Sequence, residues 1–224
     1  MNFLQLCQSV FTEGGISGQI NSVQNQSGEA GRVVGWVSGA YKEILNDQSL
    51  NWKFLRKTVN VQLEGGKQAY SFDDLSLASG VQFDTRSMRV AVRSDLADET
   101  DLGHMSFKAF RDFWQFSSRR LMQSRPLNVA VNDDTELVFG PTPDQAYWVS
   151  MQYQSMPEDF ANNADEPVIP SRFHMAIVWR ALRHYGIYEA APEVVARADL
   201  AYKEAMLQLE MDQAPEVTIG GAIC

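Results

Sequence analysis

The sequence predicts an α+β protein, a helical bundle drawn from both ends of the chain with a mainly antiparallel β insertion between them. Apolar residues recur at helical spacing near the start and, after Pro170, to the end of a long second block. Between Trp52 and Gln154 the pattern changes to strand-like alternation, broken by Gly, Asn-Asp and Pro turn signals. With 224 residues, 45% of them hydrophobic, the chain is large enough to bury a substantial core. These observations assign residues 1–50 and 168–213 to the bundle, 51–167 to a β-rich insertion with one inserted helix, and 214–224 to an extended C-terminal arm.

Residues 2–13 form the first predicted helix, with Leu4, Cys7 and Phe11 on one stripe and a stop at Gly14-Gly15. A polar stretch, ISGQINSVQNQS, leads to an N-cap at Ser27 and a helix reaching about Asp47. In TVNVQLEGGKQAYSF, Val59, Val61 and Leu63 share a face and Gly65-Gly66 supplies a hairpin turn. Further strands are expected at 87–93, 127–131, 136–140 and 147–154, with SFKAFRDFWQF as the inserted helix. Ser171 is placed to cap a helix whose apolar arc is Met175, Val178, Trp179, Leu182 and Tyr185, and Gly186 is its expected end. Pro192 opens the last helix, with Glu193–Arg197 and Asp199–Lys203 as i,i+4 ion pairs.

Nineteen Lys and Arg against 28 Asp and Glu give a net charge of -9. Duplex DNA is gripped by a basic surplus, so tight DNA binding is disfavoured. The start MNFLQLCQSVF lacks a basic leader and no run of 18 apolar residues occurs, so neither secretion nor a membrane span is expected. Two cysteines, Cys7 and Cys224, make no disulfide framework or zinc quartet and fit synthesis in a reducing, intracellular compartment.

No chemistry-bearing constellation is present in the sequence, so no catalytic residue, cofactor or metal is expected. His174 and His184, about 80° apart on one helix and roughly three turns distant, cannot share a metal and read with His104 as packing or surface residues. Asp95, Asp98, Glu99 and Asp101 lack calcium-loop spacing and read as a solvated acidic loop. Phe107, Phe110, Phe113, Trp114 and Phe116, followed by Arg119, Arg120 and Arg125, could stack bases, but their helical spacing favours a core or interface stripe. With Arg172, Arg180 and Arg183, gathered opposite the apolar arc of their helix, these arginines are candidates for a subunit interface. Gly31, Gly35 and Gly39 form a ridge, each costing an exposed helix about 0.8–1 kcal/mol relative to Ala. A close helix contact, within the subunit or between subunits, would offset that cost. In the arm, Pro215 ends the helix, and Val217, Thr218, Ile219 and Ile223 suit an extended segment laid on a partner.

Several stretches together resemble the head-to-tail adaptor (connector) proteins of tailed bacteriophages, including the tail tubular protein A type. They are FLQLCQSVFTEGGISG, GRVVGWVSGAYKEI, LNWKFLRKTVNVQL, FRDFWQFSSRRLMQSRP and IPSRFHMAIVWRALRHYGIYEAAPEVVARADLAYKEAMLQLEMDQ. The resemblance covers most of the chain and rests on the order and number of packing residues. It implies a non-enzymatic structural protein of the virion neck, made in the host cytoplasm: a ring of about twelve copies beneath the portal that extends the DNA channel and offers a platform to a tail or nozzle protein. The genome would be transiting cargo, which suits an acidic lumen that repels phosphate. The arm would be the portal-binding element. The competing class is a soluble phage or bacterial enzyme or regulator.

Overall fold

The computed structural model describes residues 1–47, 52–78, 81–92 and 94–213. The chain divides into two compact units, one holding Met1–Phe54 and the chain from Pro157 onward, the other Leu55–Met156.

The helical unit contains α1 (Phe3–Gly14), α2 (Gly28–Leu45), α4 (His174–Tyr188) and α5 (Pro192–Gln213). A reciprocal capping box opens α1: the Asn2 side chain accepts from the Gln5 N–H, and the Gln5 side chain accepts from the Asn2 N–H, both at 2.9 Å. Gly15 closes it in the left-handed conformation, φ 63°. The buried face of α1 is Phe3, Leu6, Cys7, Val10 and Phe11, so Leu4 lies off the stripe expected for it. Ser27 stands at the N-cap of α2 but makes no side-chain capping bond.

Helix α4 is the centre of this unit, packing against α1, α2 and α5. Ala176, Ile177, Val178, Ala181 and Leu182 are its buried core, while Met175, Trp179 and Tyr185, expected in the arc, are half-buried. Two sequence expectations about its ends are corrected. Ser171 opens a 3-10 turn (Ser171–Phe173) that precedes the helix, with Phe173 at the N-cap, and no side chain caps either. Gly186 lies inside the helix, because a Cβ there would sit 2.9 Å from Val195 Cγ2 and 3.1 Å from Val195 N. The glycine permits α5 to approach closely and is not a terminator.

Residues 157–167, assigned to the insertion from sequence, group with the helical unit. Phe160 stacks on Phe3 (4.6 Å) and Tyr41 (4.3 Å), and the carbonyls of Asn163 and Asp165 accept from the N–H groups of Leu4 and Phe3. The segment has no periodicity, so sequence spacing alone could not assign it.

The β unit contains two four-stranded sheets. β1 (Arg56–Leu63), β8 (Tyr147–Gln154), β3 (Gln82–Ala91) and β4 (Thr100–Asp101) form one, all antiparallel, in the order β1-β8-β3-β4. β2 (Ala69–Tyr70), β7 (Leu137–Gly140), β6 (Asn128–Val131) and β5 (Gly103–His104) form the other, antiparallel except for the parallel β5–β6 pair. The Gly65-Gly66 turn therefore joins strands of different sheets and is not a hairpin. It packs on the 141–145 turn: the Gly66 N–H donates to Pro143 O at 2.7 Å, and a Cβ on Gly65 would lie 3.1 Å from Gln145 Cα.

The period-two rule places side chains in this unit. Val61, Leu63, Met88, Val90, Val149 and Met151 of the first sheet share a core with Tyr70, Val129, Leu137 and Phe139 of the second. The intervening Ala130 and Val138 point to the opposite face, where α3 (Phe107–Trp114) covers them with Phe110 and Trp114. β7 is buried on both faces, which is why LVFG shows no alternation. Gly140 is required here, since a Cβ would fall 2.5 Å from the Trp114 ring.

Candidate interaction surfaces

Beyond α3 the chain forms a 3-10 turn (Ser117–Leu121) that buries none of its residues. Only Phe110 and Trp114 of the aromatic series enter the core. Phe113 is 42% exposed, Phe116 73% and Leu121 81%, with Met122 and Leu127 also exposed. The Arg119 guanidinium lies 4.1 Å from the Phe113 ring centroid, and Arg120 donates through Nε and Nη2 to the Gln115 carbonyl. Lys108, Arg111 and Arg120 line an open groove with Phe107, Phe116 and Asp133. No ion pair ties Lys108, Arg111, Arg119 or Arg120 to a carboxylate among the described residues. An apolar, cationic prong therefore stands on an acidic protein.

The other four candidate arginines have partners inside the chain. Arg125 is a brace of the β unit, its Nη2 donating to the carbonyls of Val90 and Asp98 at 2.6 Å each and its Nη1 lying 3.3 Å from the Asp98 carboxylate. Arg89 pairs with Glu99 (2.9 Å) and Asp101 (3.1 Å), so two arginines balance the acidic loop. In the 3-10 turn before α4, Arg172 pairs with Asp212, and on α4 Arg180 pairs with Glu43 and Arg183 with Asp199 at 2.9 Å. His184 joins the Glu43 cluster, its Nε2 3.2 Å from Oε1. Arg197 turns to the Glu13 carbonyl and Asp199 to Arg183, which displaces the i,i+4 pairs expected along α5.

No helix of the described chain meets the middle of the glycine ridge. A Cβ on Gly35 or Gly39 would touch nothing within 4 Å, and one on Gly31 would meet only the Gln26 backbone oxygen, at 2.9 Å. The within-subunit contact expected for Gly35 and Gly39 is therefore corrected.

His174 is buried and its Nε2 donates to the Ile169 carbonyl at 2.8 Å, as a core histidine does. Burial lowers its pKa below the usual imidazole value. Burial also pushes the Cys7 thiol up to about 12, so it stays protonated and unreactive. His104 is exposed on β5. Among the described residues no group of three or more His, Cys, Asp or Glu could hold a metal ion, and no helix is long and apolar enough to cross a membrane. Pro215, Val217, Thr218, Ile219 and Ile223 of the C-terminal arm lie outside the described residues, as does Cys224.

A second exposed apolar surface runs along α5, where Leu200, Leu207 and Met211 are 63%, 58% and 71% exposed, opposite the buried Ala198, Met206 and Leu209. Sequence reading missed it, although the signal is there: Leu200, Leu207 and Met211 stand at i, i+7 and i+11.

What the described chain offers, then, is an α+β protein with exposed apolar surfaces on both of its units. The family model described as SU10 adaptor protein matches residues 1–220, and the chain belongs to that family, a finding that bears out its resemblance to phage head-to-tail adaptors. No curated protein matches it.

Proposed function

We propose that this protein is the structural head-to-tail adaptor of a tailed phage: about twelve copies form a ring beneath the portal, extend the DNA channel, and present the platform on which a tail or nozzle protein docks. The family match over residues 1–220 carries this reading. Charge supports it, because a net of -9 suits a conduit that genomic DNA slides through without being held. The exposed prong and the apolar stripe of α5 support a protein that acts by association. On this reading the chain works in the virion neck without catalysis, cofactor or metal, and the 214–224 arm contacts the portal or an adjacent copy.

Mixing the purified chain with its portal and imaging the product tests this directly. Coaxial rings on the portal are the expected result. An isolated globule that never engages the portal, and whose melting shifts with a small ligand, would return the protein to the enzyme or regulator class.

A further inference from the structure

The exposed prong and the exposed face of α5 are both apolar and of opposite charge. Residues 105–127 hold five basic side chains, Lys108, Arg111, Arg119, Arg120 and Arg125, against the single acid Asp112. The helical unit is the acidic part of the chain: with 15 of the 28 acidic and 8 of the 19 basic residues, it accounts for a net -7 of the -9. On α5 that charge lies beside the apolar stripe. Counting from Leu200, the exposed Glu193 and Glu204 stand at i-7 and i+4, which puts both on the same narrow face as Leu207 and Met211. Lys203 and Arg197 flank the stripe on opposite sides, Glu210 lying on the side of Lys203 and Arg197 being turned to the Glu13 carbonyl.

We infer that the prong of one copy docks on the α5 face of the next, with Phe116 and Leu121 against Leu200, Leu207 and Met211, and Arg119 and Arg120 against Glu193 and Glu204. The occupant of each surface is a second copy of this chain. Three observations support that choice. The two patches are complementary in charge, each is apolar at its centre with charges beside it, and neither is covered by the described residues. Because the surfaces differ, the contact is head-to-tail, the kind that closes into a ring when its rotation divides a full turn. Arg119 is already held by the Phe113 ring and Arg120 by the Gln115 carbonyl, so docking orders few additional rotamers. This inference rests on the ring reading above and specifies the surfaces that make the ring.

A charge swap tests it. Sedimentation of the full chain over a concentration series, at low and high salt, gives the self-association constant. R119E/R120E and E193K/E204K should each weaken association ~10-fold or more, because like charges then face each other. The quadruple variant carrying both pairs should recover it. F116A/L121A should weaken it without the salt dependence of the charge variants. All these positions are exposed, and unchanged melting temperatures would confirm intact folds. Normal association of all four variants, or failure of the quadruple variant to recover, would overturn the inference while leaving ring formation on the portal intact. A wild-type chain that stays monomeric at every concentration would also overturn it. The adaptor reading itself would fall only if that chain also failed to engage the portal.

Discussion

Two arginine-rich segments of this chain look alike on paper and differ in the fold. In α4 and the turn that leads into it, Arg172, Arg180 and Arg183 each meet a carboxylate from α2 or α5, so the charges stitch the bundle together. In the turn after α3, Arg119 and Arg120 meet a ring face and a backbone carbonyl, and neither pairs with a carboxylate among the described residues. Neighbouring elements make the difference. Helix α4 is flanked by helices carrying Glu43, Asp199 and Asp212, whereas the 117–121 turn buries none of its residues. An arginine cluster indicates an interface only after the carboxylates within its own unit have been counted.

The comparison can be broken at its structural end. Leu182 is fully buried on α4 beside Gly14, so Leu182→Ala should destabilise the fold by about 2–5 kcal/mol, read as a lowered denaturant midpoint. A loss below about 1 kcal/mol would mean that α4 is not the centre of the bundle. Arg125 gives a smaller effect of the same kind. Arg125→Ala leaves two carbonyls without their donor and should cost about 1–3 kcal/mol, with little change in self-association.

The glycine ridge sharpens the comparison, because its members face different surroundings. Gly35→Ala should stabilise the isolated chain by up to about 1 kcal/mol, the usual helix gain at an open site. Gly31→Ala should not, since its methyl would press on the Gln26 carbonyl. Equal gains at both positions by thermal melting would contradict the described entry to α2. Smallest of all should be the effect of Arg119→Ala on folding, within about 0.5 kcal/mol by chemical denaturation, although the same residue is assigned to assembly.

Much of the fold was legible in the sequence because it depends on local periodicity. The α+β class, the five longer strands and the helices at 107–114 and 192–213 follow from apolar spacing. What escaped depends on tertiary partners. Gly186 read as a stop because glycine ends helices locally, but here it makes room for Val195. Gly65-Gly66 read as a hairpin because the strands beside it are adjacent in sequence, yet β1 pairs with β8 and β2 with β7. Asp199 faced Lys203 on a helical wheel, but Arg183 across the α4–α5 interface takes it. At the candidate surface the residue types were visible, while which of them lacked partners was not. Separating Arg119 and Arg120 from Arg125 and the α4 arginines required the fold.

The central claim is that the arginines without internal partners make the assembly and the internally paired ones do not. Hydrogen–deuterium exchange on the free chain and on assembled rings tests it most directly. Assembly should add protection in peptides covering 107–121 and 200–211 and leave 172–183 unchanged. Protection gained along 172–183, with 107–121 exchanging as in the free chain, would contradict it.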